Sequence, residues 1–145
     1  MRKLTFSFLI LVFIFSACKK KVESPFSPEI KPRALLEISM QYEPVVFIYN
    51  WVFESWCITN CVILLETNGV GGNISFMKAE MMYQGVVYTT KNFAENYNFN
   101  AHESMSGCDF DCTIYEYDKM KITVQGVDNN GYTINASKTF DVYYQ

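Results

Sequence analysis

Along most of the chain apolar and polar side chains alternate one for one, which is the period of a β-strand rather than a helix. Near the C-terminus Met120, Ile122 and Val124 alternate with Lys119, Lys121, Thr123 and Gln125. Tyr132, Ile134 and Ala136 then alternate with Thr133, Asn135 and Ser137, and Phe140, Val142 and Tyr144 continue the row, with Tyr143 and Tyr144 on its two faces. Between the two rows lies Asp128-Asn129-Asn130-Gly131; Asn-Gly supplies the positive φ angles of a tight turn, so the rows are predicted to pair as a hairpin. Leu36, Ile38, Met40 and Tyr42 alternate with Glu37, Ser39, Gln41 and Glu43, predicting a half-buried strand. Met77, Ala79, Met81 and Tyr83 form another row, after which Gly85 turns the chain into Val86–Thr90. Val45–Phe53 and Val62–Leu65 are runs rich in β-branched and aromatic residues, as in strands buried on both faces or bent through a bulge. Apart from one helical turn that residues 93 to 105 leave room for, no segment past residue 17 carries a capped 3.6-residue period. About seven short strands at this spacing predict an all-β, antiparallel β-sandwich.

The first residues break the pattern. Arg2 and Lys3 precede an apolar run from Leu4 to Phe15, and Ser16-Ala17 leads into Cys18. That order is the layout of a secretory signal, and the run is shorter than the ~20 residues that span a bilayer. With a cysteine directly after the small residues, and Phe15 in place of the usual Leu, the segment resembles a bacterial lipoprotein signal. The resemblance implies that residues 1–17 are removed, that Cys18 is acylated, and that the protein is lipid-anchored in the bacterial cell envelope, at the outer membrane. A plain secretory signal cut nearby, or a signal anchor, is the ordinary alternative. Loss of Arg2 and Lys3 with the leader would take the formal charge from −3 to −5.

Residues 18–33 follow as a tether: three of the chain's four prolines fall here, among Ser, Lys and Glu. Such a composition has too little apolar surface to fold alone, and its 15 residues after Cys18 reach roughly 45 Å when extended. Lys19-Lys20-Lys21 beside the expected lipid suits anionic headgroups rather than nucleic acid. The expected partners are therefore the membrane, through the lipid, and a protein or glycan; no nucleic acid is expected. Residues 34–145 are long enough for a single domain with its own core.

Glu66-Thr67-Asn68-Gly69-Val70-Gly71-Gly72, with Trp51 and Phe53 upstream, resembles a segment of bacterial immunoglobulin-like or fibronectin-like domains, in which a strand ending in an acidic residue runs into a glycine-rich turn. Gly126–Gly131 and the strand ending Phe140-Asp141-Val142 are similar to the closing hairpin of those domains. The likeness covers residues 45 to 142. It implies an immunoglobulin-like β-sandwich serving as a spacer, adhesion or binding module, and it carries over no catalytic residue.

Cys57, Cys61, Cys108 and Cys112 form two C-x3-C pairs, a departure from that pattern. Export places them in an oxidising space, where an even count supports full pairing as disulfides. Bridges within each pair close tiny loops; bridges across the pairs close loops of about 50 residues, worth ~4 kcal/mol for one bridge in the chain-entropy model. Four thiolates are also a zinc set, but the spacing and the compartment favour oxidation, so no metal or cofactor is expected. His102, the single histidine, with Glu103 and Ser104 beside it, invites a hydrolase reading. Adjacent residues point in different directions, however, and a triad is made by geometry. Asp109, Asp111, Asp118 and Asp128 lack the spacing of a calcium loop. Asn73-Ile74-Ser75 and Asn135-Ala136-Ser137 match glycosylation sequons that need no role in a bacterial chain. Phe93, Tyr97 and Phe99 lie in an Asn-rich stretch that reads as loop, and are candidate ligand contacts; the alternative is that they plug the end of the core. The expectation is a non-enzymatic binding, adhesion or structural module, with an accessory or inhibitor subunit docking a secreted enzyme as the alternative and a small hydrolase as a third.

Overall fold

The computed structural model describes residues 30–93 and 96–145; the leader, Cys18 and the tether up to residue 29 lie outside the described residues. Among the described residues the chain forms nine strands and no helix: β1 (Leu36–Met40), β2 (Val45–Asn50), β3 (Ser55–Glu66), β4 (Gly72–Tyr83), β5 (Val86–Phe93), β6 (Tyr97–Phe99), β7 (Ser104–Thr113), β8 (Lys119–Asp128) and β9 (Thr133–Tyr144). Strand β3 pairs with β7 along one side and with β1 and β2 along the other. In the second sheet β8 lies between β4 and β9, and β5 and β6 pair with β4. This is an all-β sandwich with immunoglobulin-like strand order.

Three features differ from the expected antiparallel arrangement. The row predicted to run through Tyr42 stops at Met40, and the chain bends at Gln41–Pro44, leaving Tyr42 exposed. The buried Asn60 side chain holds that bend, accepting from Tyr42 N–H at 3.2 Å and donating to its carbonyl at 3.0 Å. After the bend β2 crosses to the second sheet and pairs with β9 in parallel, Val45–Phe47 against Val142–Tyr144. The residues expected to leave room for a helical turn instead contain the three-residue strand β6.

The core draws on both sheets. Ile38, Ile58, Val62 and Leu64 from one face Ile74, Ile122, Val124 and Phe140 from the other, around a fully buried Phe47. Each such side chain taken out of water is worth ~1.5–3 kcal/mol. The predicted hairpin forms between β8 and β9, with Gly131 at φ 85° in its turn. Gly126 permits the β4 bulge opposite it, because a Cβ there would come within 2.1 Å of the Asn73 carbonyl oxygen.

The disulfides bridge β3 and β7. Cys57 stands opposite Cys112 and Cys61 opposite Cys108, and each couple is bonded. Four residues are two strand periods, so both bridges lie on one face of the sheet. That face is the outer one, since Trp56, Ile58, Val62 and Leu64 are the core-packing residues of β3. The staple thus fixes a register within one sheet, where antibody domains bridge their two sheets.

At one end of the sandwich the chain enters the domain, and polar contacts begin two residues before Ala34. The Pro32 and Arg33 carbonyls accept from Asn130 at 2.8 Å and Asn68 at 2.7 Å. Two buried carboxylates organise this end. Glu66 accepts the backbone N–H groups of Asn68, Gly69 and His102 at 2.8–2.9 Å and of Leu35 at 3.3 Å. Burial pushes its carboxyl up, but backbone N–H donors from His102, Asn68, Leu35 and Val70 outweigh it and hold it at about 2. Asp128 likewise accepts from Ala34, Asn130 and Tyr132 at 2.8–3.0 Å, and these bonds, with the Arg33 charge, draw it below its ordinary value against the effect of burial.

A carboxyl whose folded pKa is depressed contributes stability that is present above its unfolded pKa and lost as pH falls toward the folded one. Thermal unfolding followed by circular dichroism is therefore expected to show stability falling from about pH 4.5 to about 2. Glu66→Gln removes part of that slope, Asp128 supplying the remainder. At neutral pH the variant is less stable by ~2–3 kcal/mol, because its amide turns a donor toward donors. Replacing one cysteine couple by alanine costs ~2–3 kcal/mol in guanidinium unfolding, since the remaining bridge already closes the long loop and the lost one closes only a short ladder.

Candidate functional site

The opposite end of the sandwich is built from aromatic side chains. The apolar run predicted as strand through Phe53 ends at Asn50. Its side chain accepts the N–H of Val52 at 2.9 Å and of Phe53 at 3.2 Å, turning the chain at Trp51–Glu54. Trp51 and Val52 are consequently 84% and 86% exposed. Across from them the β7–β8 loop presents Ile114 and Tyr115, also exposed. The loop is ordered by polar contacts: Tyr115 N–H donates to Thr113 Oγ1 at 3.0 Å, Asp118 N–H to the Met82 carbonyl at 2.9 Å, and Gln84 N–H to Asp118 Oδ2 at 2.9 Å. Tyr117 N–H donates to the Tyr144 hydroxyl.

A relay of rings connects this surface to the core. Phe47 stacks on Tyr144 at 5.5 Å; Tyr144 meets Trp56 edge-on at 5.0 Å, Trp56 meets Tyr49 at 5.1 Å, and Tyr49 meets Trp51 at 4.7 Å. Offset and edge-on contacts of this kind fix ring orientation. Beside the relay lies a cavity of about 830 Å³. Phe47 and Met81 reach it from the core, Phe53, Tyr88 and Tyr115 wall it, and Asp111, Thr89 and Thr113 add polar groups. A concavity that sets aromatic rings beside a carboxylate and hydroxyls can take a ligand carrying both apolar and polar groups.

The side of the sandwich between β5 and β7 is open. On β7 the inward positions include Gly107, Asp109 and Asp111, which line the interior between the sheets with little apolar bulk. Lys91 of β5 spans the gap, bonding Asp109 and lying 3.8 Å from Asp111. The bond to Asp109 raises the Lys91 pKa, burial notwithstanding. Beyond this bridge a cavity of about 270 Å³ opens, and Phe93 and Tyr97 line it with Met105 and Met77. Phe99 does not join them. Its ring is 3% exposed and packs in the core, where it meets the space a Cβ on Gly72 would occupy, so of the three expected ligand contacts Phe93 and Tyr97 line this cavity and Phe99 does not.

The other residues singled out in the sequence are dispersed. His102 lies at the end where the chain enters, at φ 59°, with Nδ1 4.0 Å from Glu66 Oε2. Glu103 turns to the Asn100 side chain and Ser104 begins β7 opposite Leu65. Asp118 and Asp128 stand at opposite ends of β8, away from the Lys91 bridge that holds Asp109 and Asp111. Among the described residues no three His, Cys, Asp or Glu side chains are grouped to hold a metal ion. The sequence reading missed Trp51, Phe53, Tyr88, Ile114 and Tyr115 as surface. An asparagine opening the Asn50–Phe53 turn was the available signal.

A scan against protein-family models matches none, and a search of curated proteins finds no match. Among solved structures the chain is similar to an ApaA protein from Bordetella pertussis, at 10% identity over 76% of this chain and 95% of that one, with a TM-score of 0.49. It is also similar to the CARDB domain of a Pyrococcus furiosus protein crystallised with di-metal ions, at 12% identity over 78% of this chain and 96% of that one, with a TM-score of 0.34.

Substitution separates the two kinds of aromatic residue. Phe99→Ala is expected to cost ~3–5 kcal/mol in denaturant unfolding, whereas Trp51→Ser, which loses one edge-on contact with Tyr49, costs no more than ~1.5 kcal/mol.

Proposed function

We propose that this protein is a lipid-anchored component of the bacterial cell envelope, held through Cys18 at the outer membrane, and that its domain is a non-enzymatic binding module whose working surface is the aromatic end. The observation that carries this reading is position. The rings and the 830 Å³ cavity lie at the end of the sandwich opposite the residues through which the chain enters it. Large, rigid aromatic groups give contact area at low entropic cost, and exposed apolar surface of this kind is characteristic of interaction sites. The open side between β5 and β7 favours a protein partner, and with it the accessory-subunit role, over a spacer with no ligand.

Two measurements on intact cells test the proposal. Radiolabelled palmitate should be incorporated by the wild-type chain and not by Cys18→Ser. Cross-linking in envelope preparations should recover a partner with the wild type and at least tenfold less with the triple variant Trp51→Ser, Phe53→Ser, Tyr115→Ser. Equal recovery would remove the aromatic end as the working surface.

A further inference from the structure

Strand β5 is an outer strand of its sheet. Among the described residues it pairs with β4 alone, and every residue from Val86 to Asn92 is exposed. Val86-Val87-Tyr88-Thr89-Thr90 is rich in β-formers and carries no charge and no proline. Edges of that composition are templates for pairing unless a charge, a bulge or a covering element blunts them. The first charge that follows, Lys91, is drawn across the sandwich onto Asp109 and Asp111. One bulge interrupts this edge, since Thr89 pairs with Met81 and Val87 with Met82 while Tyr88 is the extra residue, and the stretches on either side of Tyr88 are left to accept a strand.

The charge around its Val86 end points to the kind of strand. Glu54 sits between Phe53 and Ser55, and Glu116 between Tyr115 and Tyr117; all four neighbours line the 830 Å³ cavity, as do Tyr88 and Thr89 of β5 itself. Among the described residues neither glutamate is in an ion pair, and Lys119 at this end is paired with Asp141. Asp111 is the carboxylate that lines the cavity itself, with Lys91 3.8 Å from it, while Glu54 and Glu116 each adjoin lining residues on both sides. Carboxylates around aromatic faces attract a cationic side chain twice, by charge and by the ring quadrupole.

We propose that β5 is a strand-addition site for an extended, basic segment of a partner protein, whose backbone pairs with β5 while a lysine or arginine enters the aromatic cavity between Glu54 and Glu116. Main-chain bonds would give the affinity and the cavity the selectivity. The inference rests on the binding-module reading above and narrows it to one class of partner.

The probe is a fluorescent eight-residue peptide alternating arginine or lysine with valine and phenylalanine, titrated onto the folded domain by anisotropy. It should bind at least tenfold more tightly than the same peptide with glutamate at the basic positions. Glu54→Gln with Glu116→Gln should weaken it at least fivefold and flatten its salt dependence. Methylating the peptide's backbone nitrogens at one alternating set of positions should abolish binding, and methylating the other set should leave it within twofold, because only one set faces β5. Equal effects of the two methylated sets would overturn strand addition, and equal binding of the acidic peptide would overturn the charge assignment. A concentration-dependent dimer in sedimentation that competes with the peptide would overturn the partner in favour of a second copy of this chain. If the peptide fails while the aromatic triple variant still loses its cross-linked partner, only this inference falls; if both fail, the binding-module reading falls with it.

Discussion

The ladder between β3 and β7 is the constraint on which the rest of the domain depends. Ten residue pairs from Trp56 opposite Thr113 to Leu65 opposite Ser104 are locked in register by two bridges, Cys57–Cys112 and Cys61–Cys108. In a strand a slip of one residue turns every side chain to the other face. The bridges therefore hold Ile58, Val62 and Leu64 toward the core. They also hold Gly107, Asp109 and Asp111 toward the interior on β7, where bulkier apolar groups would have closed the sandwich. The open side and its Lys91 bridge follow from that register.

The two ends of the sandwich are ordered by different physics. Where the chain enters, Glu66 and Asp128 gather backbone N–H groups from segments distant in sequence, and the bonds outweigh the cost of burying charge. Buried carboxylates placed in this way make a rigid, closed end. The other end is held by the ring relay from Phe47 to Trp51 and by the contacts of Asp118 and Tyr117, which leave apolar faces in water. An apolar surface that is both ordered and exposed has lost little freedom still to be lost on binding.

What the sequence made legible was local. The β8–β9 hairpin, the Gly85 turn and the buried row Leu36, Ile38, Met40 follow from alternation and turn chemistry, which act over a few residues. The parallel pairing of β2 with β9 joins residues nearly a hundred positions apart, and no turn announces it. The aromatic end was hidden for a related reason. A run such as Val45–Phe53 looks the same whether its last residues are buried or carried out on a turn, and only Asn50 marks the change. Of the candidate contacts, Phe93, Tyr97 and Phe99 are equally aromatic in a polar stretch; the register of β6 against β4 decides that Phe99 faces inward opposite Gly72.

The register of β3 on β7 is tested most directly by non-reducing mass mapping of the purified protein. Thermolysin, which cuts ahead of Ile58, combined with chymotrypsin, which cuts after Phe110, would place all four cysteines on separate peptides. Peptides linking Cys57 to Cys112 and Cys61 to Cys108 are expected. Bridges within either C-x3-C pair, or Cys57 linked to Cys108, would contradict that register.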